Sequence, residues 1–296
     1  MHRTSTMNAL YSLLLASVMA APSPPSGKHL GQFYERLAAD LAGGRPLVAT
    51  VYVALCDNDS QGIVKVRNAR ICRGDDPDRN LYWTTAGGLA ATLRQARWRL
   101  VGETRFPTGA VAVKAIWRKS LPAGPALRQR GAPARVEAYI VGLAYRGRHI
   151  REAMVDYLRA VNEDTGASET AGDLTLATAG QSHIVGYIGH DYFYDVDDPR
   201  PLLALGEGAS VLQKATFALS CTGHRLIRPA IRRANAHILL LNRSLGFPGA
   251  WTAEAMVAAI ADGQTARAIH RSAAAAFARG QGVPLGTALA AFAYGD

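Results

Sequence analysis

His190 and Cys221 each close a short apolar run. H-I-V-G-Y-I-G-H ends at His190, and A-T-F-A-L-S-C ends at Cys221. An imidazole brought beside a thiol makes a base and a nucleophile, the pair needed to attack a carbonyl carbon through sulfur. Only the thiolate is reactive, and its pKa falls near a cationic imidazole or the amino end of a helix. A helix expected over Arg225–Ala234 starts just after Cys221, so its positive end is expected to act on the sulfur. Arg225, Arg228, Arg232 and Arg233 lie on that segment. They are better read as a solvated helix face than as ligand contacts.

Chemistry of this kind requires both residues at one edge. Parallel sheets bury their strands on both faces and bind ligands beyond the strands' carboxyl ends. Several apolar runs fit such strands: Pro46–Leu55, Ala110–Trp117, Arg135–Ala144, His183–Gly189, Thr216–Ser220 and His237–Leu241. Helical patterns separate them at Leu30–Leu41, Leu89–Arg99, Ile150–Val161 and Thr252–Ile260, with two alanine-rich segments at the end. Residues 162–172 read as a polar loop. This β-α-β order predicts an α/β fold, a mostly parallel sheet with helices on both faces. Strands ending at Leu55, Gly189 and Ser220 are expected side by side. Asp57 and Asn58 follow the first strand and are candidate substrate-binding residues at that edge.

The chain has 296 residues and a net charge of +10, with arginines spread along it. It carries no zinc-finger spacing, phosphate-binding loop or aromatic RNA-binding signature, so no nucleic-acid partner or cofactor is expected. His183 and His224 lack a third ligand at zinc spacing, and the Asp57–Asp59 and Asp75–Asp78 clusters suit turns better than calcium. No metal is expected. Trp83 is better read as core than as a cleft wall.

Arg3, the apolar run Ala9–Ala21 and the breaker P-S-P-P-S-G read as a secretory signal cut after Ala20. The implied organisation is a signal peptide at 1–20, an extension with a helix at 21–45 and one α/β domain at 46–296. The protein is then periplasmic or secreted, with no membrane span after cleavage. An exported chain with three cysteines leaves at least one thiol unpaired, or paired between molecules. Cys56 and Cys72 could close a loop, leaving Cys221 free, or all three could stay reduced.

The stretches H-I-V-G-Y-I-G-H-D at 183–191 and A-T-F-A-L-S-C-T-G at 215–223 resemble the caspase–haemoglobinase group of cysteine peptidases. The following A-H-I-L-L-L-N and S-L-G-F-P-G-A-W-T-A-E-A also resemble that group's next βα unit. The block around V-A-L-C-D-N-D-S-Q-G resembles a set of bacterial proteins sharing a G-H and a later A-C motif. The resemblance spans roughly Pro46 to Gln281, with its specific part at the two strand ends. It implies a caspase-like α/β domain over 46–296 with a flavodoxin-like strand order, a peptide or protein substrate, His190 as acid–base and Cys221 as nucleophile. Gly189 then shapes the turn, and the amides of Cys221 and Asp191 bind the oxyanion. The group usually has glycine after the histidine. Here Asp191 stands there, and its carboxylate either repels the oxyanion or points away and orients the imidazole. The alternatives are a catalytically inactive domain that binds a peptide or protein in the same cleft, and a flavodoxin-like small-molecule binder.

Overall fold

The longest apolar runs become strands whose every residue is buried, as a sheet covered on both faces requires. In chain order the strands are β1 (Leu47–Ala54), β2 (Arg99–Arg105), β3 (Val111–Pro122), β4 (Arg135–Tyr145) and β5 (Gly166–Ala171). They continue with β6 (Leu174–Ala179), β7 (Ile184–Ile188), β8 (Lys214–Leu219), β9 (Ala236–Asn242) and β10 (Phe292–Ala293). The structure, a computed structural model, describes residues 27–208, 210–232 and 234–295. The expected signal segment and Arg233 lie outside the described residues.

One eight-stranded sheet runs β10-β9-β8-β7-β1-β4-β3-β2. Its central strands β4, β1, β7, β8 and β9 are parallel, and β2, β3 and β10 add antiparallel edges. Counted among themselves, the parallel strands take the order 2-1-3-4-5, whose switch point falls between β1 and β7. The fold is α/β with a mostly parallel sheet, and β1, β7 and β8 are neighbours as expected.

Alternation along β1 divides the core. Leu47, Ala49, Val51 and Val53 face one layer, and Tyr52 and Ala54 face the other. The first layer is built from α1 (Gly27–Ala42), α2 (Leu89–Gln95), α4 (Trp251–Ala261) and α5 (Ala266–Gln281). The second holds α3 (Ile150–Asn162), which buries Ala153, Met154, Tyr157, Leu158 and Val161. Beside α3, the β5–β6 hairpin lays Leu176 over Val48, Ile116, Tyr139 and Val141. Among the described residues no helix is long and apolar enough to cross a membrane.

Three local expectations are corrected. The helix beginning at Leu89 ends at Gln95 rather than Arg99, because Arg97 turns left-handed (φ 60°) and Arg99 opens β2. Residues 162–172 are not a loop throughout. Gly166–Ala171 pairs with Leu174–Ala179, and Gly172, at φ 64°, takes the turn. The helix expected over Arg225–Ala234 is two short turns, Gly223–Leu226 and Arg228–Ile231. Pro229, the second residue of the later turn, supplies no N–H to continue the ladder from the first.

Candidate functional site

Backbone register sets the two chemical residues level with each other. Ile188 of β7 faces Leu219 of β8, an offset of 219 − 188 = 31. His190 and Cys221 share that offset, since 221 − 190 = 31, so each lies two residues past its strand at the carboxyl edge. Gly189 makes the exit possible. Its φ is +150°, and a Cβ there would lie 2.9 Å from both the Cβ and the carbonyl oxygen of Ala54. Its N–H still donates to Leu219 O at 3.2 Å, so β7 and β8 stay joined up to the histidine.

The His190 ring is buried and held by two side chains, while a third fixes its backbone. Nε2 lies 3.0 Å from Asp195 Oδ1, which also accepts Gly62 N–H at 3.1 Å. The Tyr187 hydroxyl donates to the His190 carbonyl at 2.7 Å. The Tyr194 ring stacks on the imidazole, with centroids 6.2 Å apart and planes 17° apart. A carboxylate on Nε2 favours the tautomer with the proton there, which leaves Nδ1 as the basic nitrogen. Asp195 was missed in the sequence. The only signal for it was the acidic-aromatic run H-D-Y-F-Y-D, in which nothing distinguishes the second aspartate from the first.

Cys221 is the free cysteine, and Cys56 and Cys72 form a disulfide. The Cys221 thiol is half-buried and points at Gly246 O, 3.8 Å away. Burial pushes its pKa up, the Gly246 contact pulls it down, and the Asp191 charge pushes it up again, for a net rise. Only a four-residue turn follows the sulfur, in place of the longer helix expected there. The buried Tyr82 lies within electrostatic reach of the sulfur, and its ring leads to Phe247 and Trp251 at 6.1 and 5.7 Å between centroids.

Thr222, next to the sulfur, is left-handed at φ 50°, ψ 25°. A β-branched residue is strained in that region, and such strain clusters at functional sites. Its N–H donates to Ser244 O at 3.2 Å. Its hydroxyl lies 2.5 Å from the Tyr194 hydroxyl, so one side chain ties the histidine loop to the cysteine loop.

Asp191 points into the protein. Oδ1 accepts Phe193 N–H at 3.1 Å, and the Ser220 hydroxyl approaches Oδ2 at 3.5 Å. Burial pushes its carboxyl up to about 7, against the pull of the Phe193 and Ser220 hydrogen bonds and with a further push from Asp195. The imidazole is therefore oriented by Asp195, not by Asp191.

Asp57 and Asn58 lie at the same carboxyl edge, but their polar atoms shape their own loop. Asp57 accepts from Ser60 Oγ at 2.5 Å and from Asp59 N at 3.1 Å. Its side chain lies so close to Gly147 that a Cβ there would come within 2.2 Å of Asp57 Cβ. Asn58 exchanges two hydrogen bonds with the Val66 backbone at 2.9 and 3.0 Å. His183 lies at the opposite edge, donating through Nε2 to Asp40 at 3.0 Å and accepting Val48 N–H on Nδ1 at 3.2 Å. His224 contacts Arg228. Among the described residues no group of three His, Cys, Asp or Glu is placed to hold a metal. Asp75 and Asp78 pair with Arg148 and Arg105, and Trp83 packs on Trp117 in the core. The chain matches no protein-family model, no curated protein and no solved structure.

Proposed function

We propose that the protein is an exported cysteine peptidase or amidase in which Cys221 attacks and His190 moves the proton. The observation that carries this reading is the level placement of His190 and Cys221 beyond two adjacent parallel strands, with the imidazole held by Asp195. The reading also rests on the resemblance to the caspase–haemoglobinase group. The disulfide supports export, because such bonds persist in oxidising compartments.

In the mechanism, His190 Nδ1 takes the Cys221 proton and sulfur bonds to the substrate carbonyl carbon. The Cys221 and Asp191 amides are the candidate donors to the resulting oxyanion. Collapse breaks the C–N bond, and the imidazolium gives its proton to the leaving amine. His190 then deprotonates water, which adds to the thioester. The acid leaves, and sulfur recovers its proton. The raised thiol pKa means the resting sulfur is protonated, so the imidazole must take part in each attack.

That same raised pKa favours a second reading, an inactive domain that binds a peptide or protein in this cleft. Iodoacetamide labelling followed by peptide mass mapping separates the two. The enzyme reading expects His190→Ala to slow Cys221 labelling near neutral pH and Cys221→Ala to abolish turnover of any peptide substrate found. Labelling that is slow and indifferent to His190→Ala rejects the enzyme and leaves the binding domain.

A further inference from the structure

The face of the sheet under the β5–β6 turn carries a row of charge that the proposed peptidase chemistry does not use. Arg99 on β2 stands directly across from Arg118 on β3, and Arg118 stands across from Tyr139 on β4. Like charges directly opposite on neighbouring strands repel. Arg118 answers part of this by pairing with Glu137 at 2.8 Å and by placing its guanidinium 5.9 Å from the Tyr139 ring centre. Arg99 has no carboxylate partner among the described residues. Both arginines and Tyr139 line an open cavity of about 630 Å³, bounded on one side by the hairpin turn. Val101 and Leu174 give it an apolar lining, continuous with the small core of Ile116, Tyr139 and Leu176. Asp173 is the one acidic residue on its wall.

We propose that this cavity binds a small organic anion with an apolar body. Its acidic group, a carboxylate or a phosphoryl group, lies between the Arg99 and Arg118 guanidiniums, and its body lies on Tyr139, Val101 and Leu174. Guanidiniums suit planar, bidentate recognition of either acid, and the ligand charge relieves the repulsion across β2 and β3. Asp173 and Glu137 limit the site to ligands of low negative charge. Tyr139 faces Val48 near the start of β1, so this site lies toward the amino edge, away from His190 and Cys221. It stands or falls independently of the peptidase reading.

Fluorescence titration of the whole chain with anilinonaphthalene sulfonate, an aromatic anion, tests the proposal. The expected result is saturable binding of one probe per chain, weakened roughly tenfold by Arg99→Ala and again by Arg118→Ala. Arg99 is exposed on an edge strand, so thermal melting should show the Arg99→Ala fold intact. Inorganic phosphate and benzoate, compared at constant ionic strength, distinguish the acids. Displacement by phosphate assigns a phosphoryl ligand, and displacement by benzoate assigns a carboxylate. No saturable binding, affinity unchanged in both arginine variants, or displacement by neither anion would overturn the proposal.

Discussion

Asp195 and Asp191 are four residues apart and chemically identical, yet the fold gives them different work. Asp195 holds the imidazole and a backbone N–H at once. Asp195→Asn keeps the shape but loses the charge that fixes the tautomer, and should slow Cys221 labelling or peptide turnover about tenfold or more. Rates in the variant equal to wild type across pH would show that the contact is only structural. Asp191 is buried with its carboxyl pushed up to about 7, well above its value in an unfolded chain. The folded state therefore holds this proton more tightly, so stability falls as pH rises from about 4 through about 7. Above that window the penalty is of order 4 kcal/mol. Asp191→Asn removes it, since an amide can still accept from Phe193 N–H. Its melting temperature should exceed wild type at pH 8 and match it near pH 4, as calorimetry would show. The sequence marked His190 and Cys221 because each ends an apolar run. It could not separate Asp195 from Asp191, since that difference arises from how a five-residue turn folds back.

At the scale of elements, the strands were legible wherever both faces are covered, because burial on two sides demands an uninterrupted apolar run. β1, β7, β8 and β9 are of this kind. β2 and the β5–β6 hairpin were not legible, because β2 and β5 bury no residue fully and their threonines, serines and arginines look like loop. The helix expected after Cys221 was lost to Pro229, a breaker visible in the sequence but outweighed by the surrounding pattern. Gly189 is the hinge between strand and site. Gly189→Ala sets a Cβ against Ala54 in a backbone conformation that L residues avoid. It should cost about 1–3 kcal/mol in urea unfolding and disturb Cys221 labelling. A fully stable variant would show that β7 can end differently without loss.

Across the whole molecule, the switch between β1 and β7 opens one edge, and three loops meet there. β1 sends the Asp57–Gly62 turn, β7 sends the His190–Asp195 turn, and β8 sends Cys221 and Thr222. That β1, β7 and β8 lie side by side was readable from their unbroken apolar runs. The meeting of Gly62 with Asp195 was not, since it joins residues 133 positions apart through one hydrogen bond. That separation is why Asp57 and Asn58 marked the first loop in the sequence while the contact that ties this loop to the histidine went unseen.

The Cys56–Cys72 disulfide anchors the first of these loops, and Asn80 braces it through the Cys56 backbone at 3.0 and 2.9 Å. A cross-link closing a loop of this length contributes about 3 kcal/mol. The loop it closes carries Gly62, the residue that shares the Asp195 oxygen with His190. Reduction of one pair of sulfurs therefore slackens, through the Gly62 N–H and the Asp195 carboxylate, the hold on an imidazole that neither sulfur touches. In a Cys56→Ser, Cys72→Ser double variant, melting should drop and Cys221 labelling should lose part of its dependence on His190. Together the two changes would make the state of this disulfide a condition of the imidazole's placement as well as of folding.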